Sequence, residues 1–435
     1  MRVLFLTPQL PYPPNKGTAI RNFNIIKNLA ARHELWLISF LDEQLANGEV
    51  EESLKVLRSL CRRVETVPTP RRSPWRRLGS ALFSPVPDLA LRLSSQEFER
   101  RLVNILSSEQ FDVVQIEGLE MTRLWSNSWS RARVKGTPRL VLDEHNAEYV
   151  LQRRAFEIDL GQPQRWVAAA YSLLQWRKLR RYEAQMCRRM DAVVAVSERD
   201  RAQLAELSGC AHIEVVANGV DVGYFDDLSF AEAALGEASF VFTGTMDFRP
   251  NVDGVIWFTN SIWPRILQAE PAARFYIVGR NPKPEVMALE REPSVIVTGA
   301  VRDIRPFFKA AVLSVVPVRM GGGSRLKILE AMAAGTPVLS TTLGAEGIDI
   351  TPGVNIAIAD DPEEFAAQAV ALLHQPDRRL SLAAKARDLV KARYDWPAVV
   401  PAMDALYQRL GQTAIREAAR TDATGTKMAR GVYGE

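Results

Sequence analysis

The chain has little cysteine, little net charge and no long apolar run, and each shortage removes a class of protein. Three cysteines in 435 residues, Cys61, Cys187 and Cys210, are odd in number and far apart. They have neither the spacing of a zinc site nor that of a redox pair, so a disulfide framework is excluded and a reducing, cytoplasmic setting fits. The apolar run at the N-terminus ends at Thr7-Pro8, too soon for a signal peptide or a membrane span. No other uncharged stretch reaches spanning length, so any membrane contact must be peripheral. The net charge of +4 is small for this length and points to no nucleic-acid partner. A dinucleotide fingerprint is missing too: the first strand leads into Thr7-Pro8-Gln9 and a proline-rich loop, which sets an NAD-dependent oxidoreductase aside.

What is present is the material of a large soluble enzyme. Hydrophobic residues make up 47% and charged residues 24%, which excludes wholesale disorder and fibrous repeats. The length exceeds what one hydrophobic core usually serves, so two domains are expected. Short β-branched runs alternate with helical stretches in both halves, the pattern of parallel sheets covered by helices on both faces. The expected strands are 3–6, 35–40, 113–116, 140–142, 192–196 and 213–216, then 240–243, 275–278, 295–297, 313–316, 338–340 and 356–358. The fold class is therefore α/β, with two doubly wound, Rossmann-like domains at 1–225 and 238–393. A turn signal at Asn218-Gly219-Val220-Asp221 precedes the boundary. Asp395 and Pro397 suit the start of a last helix over 394–411 that returns to the N-terminal domain, and the polar tail 412–435 reads as disordered.

Two basic stretches interrupt this pattern. Arg62, Arg63, Arg71, Arg72, Arg76 and Arg77 are interleaved with Pro68, Pro70, Pro74 and Trp75. The plainer reading is a solvated basic loop; the alternative is peripheral contact with anionic lipid headgroups, against which the prolines argue by breaking an amphipathic helix. Arg177, Lys178, Arg180, Arg181, Arg188 and Arg189 fall on a long helix after Val150, where acidic neighbours such as Glu183 favour a solvated face.

The most informative segment runs from Pro317 through Gly321-Gly322-Gly323-Ser324-Arg325-Leu326-Lys327 to Glu330 and on to Gly335-Thr336-Pro337-Val338. It reads as strand, glycine loop, helix, turn, strand. Glycines let the backbone approach an anion, and the amides at the helix start point at it with the dipole behind them. Arg325 and Lys327 add fixed charge that can stabilise a departing diphosphate, so that no metal is required. About one turn on, Glu330 can accept hydrogen bonds from ribose hydroxyls. In the first half, His145 follows a buried strand at its carboxyl end, where ligands bind in such sheets, with Glu144 and Asn146 as neighbours in the same pocket.

With these residues the chain resembles the retaining glycosyltransferases of the two-Rossmann-domain (GT-B) architecture, family 4, over nearly its whole length. The resemblance implies two domains facing each other across a cleft. The C-terminal one would hold a UDP- or GDP-linked sugar and the N-terminal one would face a carbohydrate or lipid-linked acceptor. It assigns Glu330 to the donor ribose, His145 to the transferred sugar, and Gly17 to the loop that closes over the donor phosphate, with Lys16 either reaching a phosphate or solvated. Where the family commonly has a further glutamate, Gly322 stands; a glycine triplet followed by Arg-x-Lys marks the nearer subgroup. After Gly244 many members carry an arginine and then a lysine, and here Thr245 and Asn251 stand instead. Arg325 and Lys327 are expected to make good that charge, helped by Arg249, for which a surface ion pair is the equal alternative.

The resemblance further implies transfer with retained configuration, in which the leaving diphosphate deprotonates the acceptor hydroxyl and no side-chain nucleophile is needed. Surface polysaccharide or glycolipid synthesis, by a cytoplasmic or peripherally membrane-bound protein with no cofactor beyond the sugar nucleotide, is the expected setting. Two other functions remain open at this point: a sugar-nucleotide epimerase of the same fold, and a noncatalytic subunit that binds nucleotide sugars.

Overall fold

The computed structural model describes residues 1–42, 47–129, 131–227, 229, 233–322 and 325–424. The chain divides into two units, Met1–Ala217 with the chain from Val399 onward, and Asn218–Ala398.

The first unit is built on seven parallel strands: β1 (Arg2–Thr7), β2 (Glu34–Leu41), β3 (Arg63–Pro68), β4 (Val113–Glu117), β5 (Arg139–Glu144), β6 (Ala192–Ala195) and β7 (Ile213–Val215). Their order is β3-β2-β1-β4-β5-β6-β7. β1 is buried from Val3 through Thr7, and β4 and β6 along their whole length, because helices cover both faces of such a sheet. The strand order reverses between β1 and β4, and a crevice opens at the carboxyl ends at such a point.

The second unit repeats the plan with six parallel strands: β8 (Ser239–Thr243), β9 (Arg274–Val278), β10 (Val295–Gly299), β11 (Leu313–Val316), β12 (Val338–Ser340) and β13 (Ala357–Ile358). Their order is β10-β9-β8-β11-β12-β13, which puts the reversal between β8 and β11. Its core is aromatic: Phe240, Phe258, Trp263 and Phe275 pack edge-on or tilted, with ring centroids less than 6 Å apart in successive pairs.

Four features depart from the sequence reading. The division falls at Ala217/Asn218 rather than after residue 225, because the turn at 218–222 is tied to the end of the second unit. Val220 N–H donates to the Tyr394 carbonyl at 2.8 Å, and Val222 N–H to Asp395 Oδ1 at 3.3 Å. The basic stretch is only in part a loop, which holds Arg71 and Arg72. Arg63–Pro68 is the edge strand β3, and Pro74–Phe83 is a helix; proline is tolerated at a strand edge and in the first turn of a helix, where no amide donor is needed. The expected long helix after Val150 is two helices, Glu148–Leu160 and Trp166–Arg189. Glu183 is buried, where it accepts the Glu148 and Tyr149 amides at 2.8 Å and so caps the first of the pair. Finally, the last helix runs Trp396–Thr424, past the expected end at residue 411, and residues 425–435 lie outside the described ones. In the first unit Asp404 on this helix receives Arg32 at 2.7 Å and His33 at 2.8 Å, and buried Tyr407 bonds Gln115 of β4.

Candidate functional site

In the second unit the crevice between β8 and β11 gathers residues from two loops. After β8 the chain turns at Gly244 into the helix Arg249–Trp257; after β11 it passes Gly321 into the helix Leu326–Ala333. The two loops touch. A Cβ on Gly244, whose φ is +156°, would lie 2.6 Å from Asn251 Nδ2 and 3.0 Å from Lys327 Nζ. One on Gly321 (φ +86°) would lie 2.8 Å from Pro250 Cγ. Only glycine lets the backbone run this close at these angles.

Lys327 is the centre of this arrangement. Its Nζ donates to Asn251 Oδ1 at 2.6 Å and lies 4.0 Å from the centroid of the Phe242 ring. Asn251 is oriented in turn by donating from Nδ2 to the Thr245 carbonyl at 2.9 Å. Asn251 and Thr245, which stand where the resemblance led one to look for basic residues, thus present a lysine from the other side of the crevice. Burial, then the charge of Arg325, pulls the Lys327 ammonium down to about 7, against the opposing pull of Glu330. Glu330 lies three residues further along, on the same helix face. Burial pushes its carboxyl up to about 7 despite Lys327, and it makes no hydrogen bond among the described residues.

The other expected residues here are placed unequally. Arg325 is buried at the N-cap position and its Nη2 donates to the Leu343 carbonyl at 2.8 Å, so it acts on the crevice through its charge on Lys327. Arg249 is half-buried at the first position of its helix. Gly322 is half-buried beside Gly321. Gly323 and Ser324 lie outside the described residues.

The crevice of the first unit is acidic, and most of its charged groups are bonded to one another. Buried Arg21, from the helix Gly17–Leu29, is bidentate to Asp143 at the end of β5, with both contacts at 2.9 Å, and donates to the Ala217 carbonyl at 3.0 Å. Glu117, at the end of β4, accepts from Gln115 Nε2 at 2.8 Å and meets His145 Nε2 at 3.1 Å. Burial raises the Glu117 carboxyl, and the nearby Asp143 raises it further. Burial alone would lower the His145 imidazole, but its bond to Glu117 and the charges of Asp143 and Glu117 leave it raised. The imidazole is therefore held towards its protonated form, and its Nδ1 makes no hydrogen bond among the described residues.

Glu117, Asp143 and His145 bring ligand atoms within 4.8 Å of one another, the donor set of a metal site. Each Asp143 oxygen already accepts a bond from the Arg21 guanidinium, so a cation here would have to share Asp143 with a buried ion pair. Gly17 opens its helix as expected. Lys16 pairs with Asp42 at 4.0 Å with both side chains half-exposed, a contact worth little. Glu144 is set apart from the His145 crevice; Asn146 is not, since the charge of His145 reaches the Glu148 carboxyl that it bonds. Asn146 donates to Glu148 at 3.2 Å. The Glu144 carboxylate, without a partner among the described residues, is pushed well up by burial and then by Glu183 and Glu148. Successive residues of a strand face opposite sides of the sheet, which parts Glu144 from Asp143.

Residues 16–224 match the family described as Glycosyltransferase Family 4, and residues 237–375 match the one described as Glycosyl transferases group 1. The chain is a glycosyltransferase that carries a family 4 domain and a group 1 domain. A 44.6 kDa protein of the cps region of Klebsiella pneumoniae is 22% identical over 91% of this glycosyltransferase and 96% of its own length. The lipopolysaccharide core biosynthesis mannosyltransferase LpsB of Rhizobium meliloti is 30% identical over 47% of this chain and 61% of its own. Among solved structures, Anabaena Alr3699/HepE in complex with UDP superposes with a TM-score of 0.63 at 15% identity, covering 94% of this chain and all of that one. Sucrose-phosphate synthase of Thermosynechococcus elongatus gives 0.67 at 16% identity, over 95% and 100%. The fold of this glycosyltransferase is thus GT-B.

Arg21, Glu117 and Asp143 were not found from the sequence, and Asn251 was met there only as the replacement of a basic residue. The signal that could have found Glu117 and Asp143 is their place at the carboxyl ends of β4 and β5, the strand ends that also pointed to His145.

Proposed function

We propose that this glycosyltransferase moves a sugar from a UDP- or GDP-linked donor to an acceptor hydroxyl with retention of configuration, in surface polysaccharide or glycolipid synthesis. The observation that carries the reading is the lysine held at the crevice of the second unit, with its ammonium on Asn251 and over Phe242, beside a helix start whose amides favour an anion. A cation brought down to about 7 regains its full charge when a diphosphate arrives, so its electrostatic gain is largest where phosphate charge develops. Glu330, three residues on, suits the ribose hydroxyls.

In the reaction the bond from the anomeric carbon to the diphosphate breaks and the bond to the acceptor oxygen forms on the same face. The acceptor proton passes to the phosphate oxygen that leaves. Lys327 and the helix amides hold the charge on the leaving group. His145, held towards its protonated form by Glu117, offers Nδ1–H to a sugar hydroxyl and steadies the reacting ring. The activities of the relatives, a lipopolysaccharide core mannosyltransferase among them, support the pathway class, and the UDP bound to HepE supports a uridine donor as the first to try.

The test is transfer from UDP- and GDP-sugars, with the product's anomeric configuration read by NMR. We expect an α-linked product from an α-linked donor, and Lys327→Ala should lower turnover at least about tenfold with the fold intact. An inverted product, or unchanged turnover of the variant at saturating donor, would contradict the scheme.

A further inference from the structure

The exposed large apolar side chains of the first unit, among the described residues, are Trp75, Phe83, Leu160, Trp166, Val167 and Tyr171. They fall on two adjoining segments. The helix Pro74–Phe83 packs along the helix Trp166–Arg189: Lys178 Nζ donates to the Ala81 carbonyl at 2.6 Å, and Tyr171 lines one cavity with Arg77 and Asp88. Ala81 is buried, while Phe83, two residues on and so about 200° around the helix, is 87% exposed. Trp75 is 81% and Val167 88% exposed. Large apolar groups left in water together call for a partner.

Charge identifies that partner. Over the whole chain the basic and acidic residues nearly balance, 55 against 51. From residue 66 to 87, however, there are four arginines and no acidic residue. From 160 to 182 there are five basic residues and again no acidic one. Of these nine basic residues three pair with acids just outside the segments, Arg72 and Arg77 with Asp88 and Arg165 with Asp159, so the balance of the two segments remains basic. A protein partner is met mostly through apolar cores with mixed charge at the rim, whereas indole rings among arginines and lysines are the makeup of a surface that lies in the headgroup layer of an anionic bilayer. No helix among the described residues is long and apolar enough to cross a membrane, so the contact is peripheral.

We propose that the face formed by Pro74–Phe83 and the start of Trp166–Arg189 docks this protein onto an anionic lipid bilayer, with Trp75, Phe83, Trp166 and Val167 entering the interface. The helix Glu148–Leu160 runs from just after His145 to the edge of this face, a span of roughly 20 Å, so a docked molecule keeps the His145 crevice within reach of a lipid-linked acceptor. The docking itself does not depend on the chemistry proposed for the crevices.

The experiment is co-sedimentation of the full chain with phosphatidylcholine vesicles, with and without phosphatidylglycerol at about 30% of the lipid. The anionic vesicles should bind at least about tenfold more protein, and added salt should weaken the binding. Trp75→Ser/Phe83→Ser and, separately, Trp166→Ser/Val167→Ser should each reduce it at least about fivefold, with unchanged circular-dichroism melts. Two double variants on different helices keep the test open if one fails to fold. Equal binding to both vesicle types, full binding by both variants, or a concentration-dependent dimer that the substitutions abolish would overturn the proposal. Because no nucleotide enters the assay, its outcome is separate from that of the transfer assay.

Discussion

The two units share one strand plan, yet their crevices are furnished in opposite ways. In the first, Arg21, Asp143, Glu117 and His145 are locked to one another by buried charge-assisted bonds. In the second, glycines bring backbone close to a single lysine, and Glu330 is left without a hydrogen bond among the described residues. A crevice whose polar groups already satisfy each other holds a fixed shape. One that keeps a cation partly discharged and a carboxyl uncommitted is built to be completed by a ligand. The same topology thus gives a rigid platform in one unit and an anion seat in the other.

Breaking the fixed crevice should cost the most. Arg21→Met leaves Asp143 buried and uncompensated, and we expect about 3–5 kcal/mol of lost stability in denaturant unfolding; Arg21→Met/Asp143→Asn should recover part of it. In the second unit the largest loss should come from backbone. Gly244→Ala forces a methyl to 2.6 Å from Asn251 Nδ2 and should cost about 1–3 kcal/mol; a melt unchanged from the parent would show that the loop gives way freely.

Smaller effects sharpen the contrast through pH. Glu117→Gln removes the bond that raises the His145 imidazole, so burial then lowers it and the protonated fraction at neutral pH falls. The alkaline limb of the turnover profile should move to lower pH, an effect that a merely structural role would not produce. At the other crevice, Lys327 and Glu330 both titrate near 7. A diphosphate prefers the protonated lysine, so affinity falls as pH rises above 7; ribose hydroxyls prefer the ionised carboxylate, so affinity also falls below 7. Nucleotide affinity should peak near pH 7, with Glu330→Gln flattening the acid limb.

Much of this was legible in the sequence because parallel strands buried on both faces leave continuous apolar runs. β3 was not, since Arg63–Pro68 mixes charge and proline at a sheet edge, and the helix Pro74–Phe83 hid behind its opening proline. Lys327 and Glu330 were legible because a loop-to-helix phosphate seat is local in sequence, and Gly244 was legible through the family resemblance. The residues that hold His145 and Lys327 could not. Arg21 meets Asp143 across 122 positions and Asn251 meets Lys327 across 76, and only the fold brings such pairs together.

The most direct test of the central claim is a thermal-shift titration of the protein with UDP and with GDP, repeated on Lys327→Met and Glu330→Ala. Binding to the native state raises the melting temperature by mass action. We expect a shift with one of the two nucleotides, lost or reduced at least about tenfold in apparent affinity in each variant, while the unliganded melts stay level. No shift in a folded sample, or a shift that survives both substitutions, would contradict it.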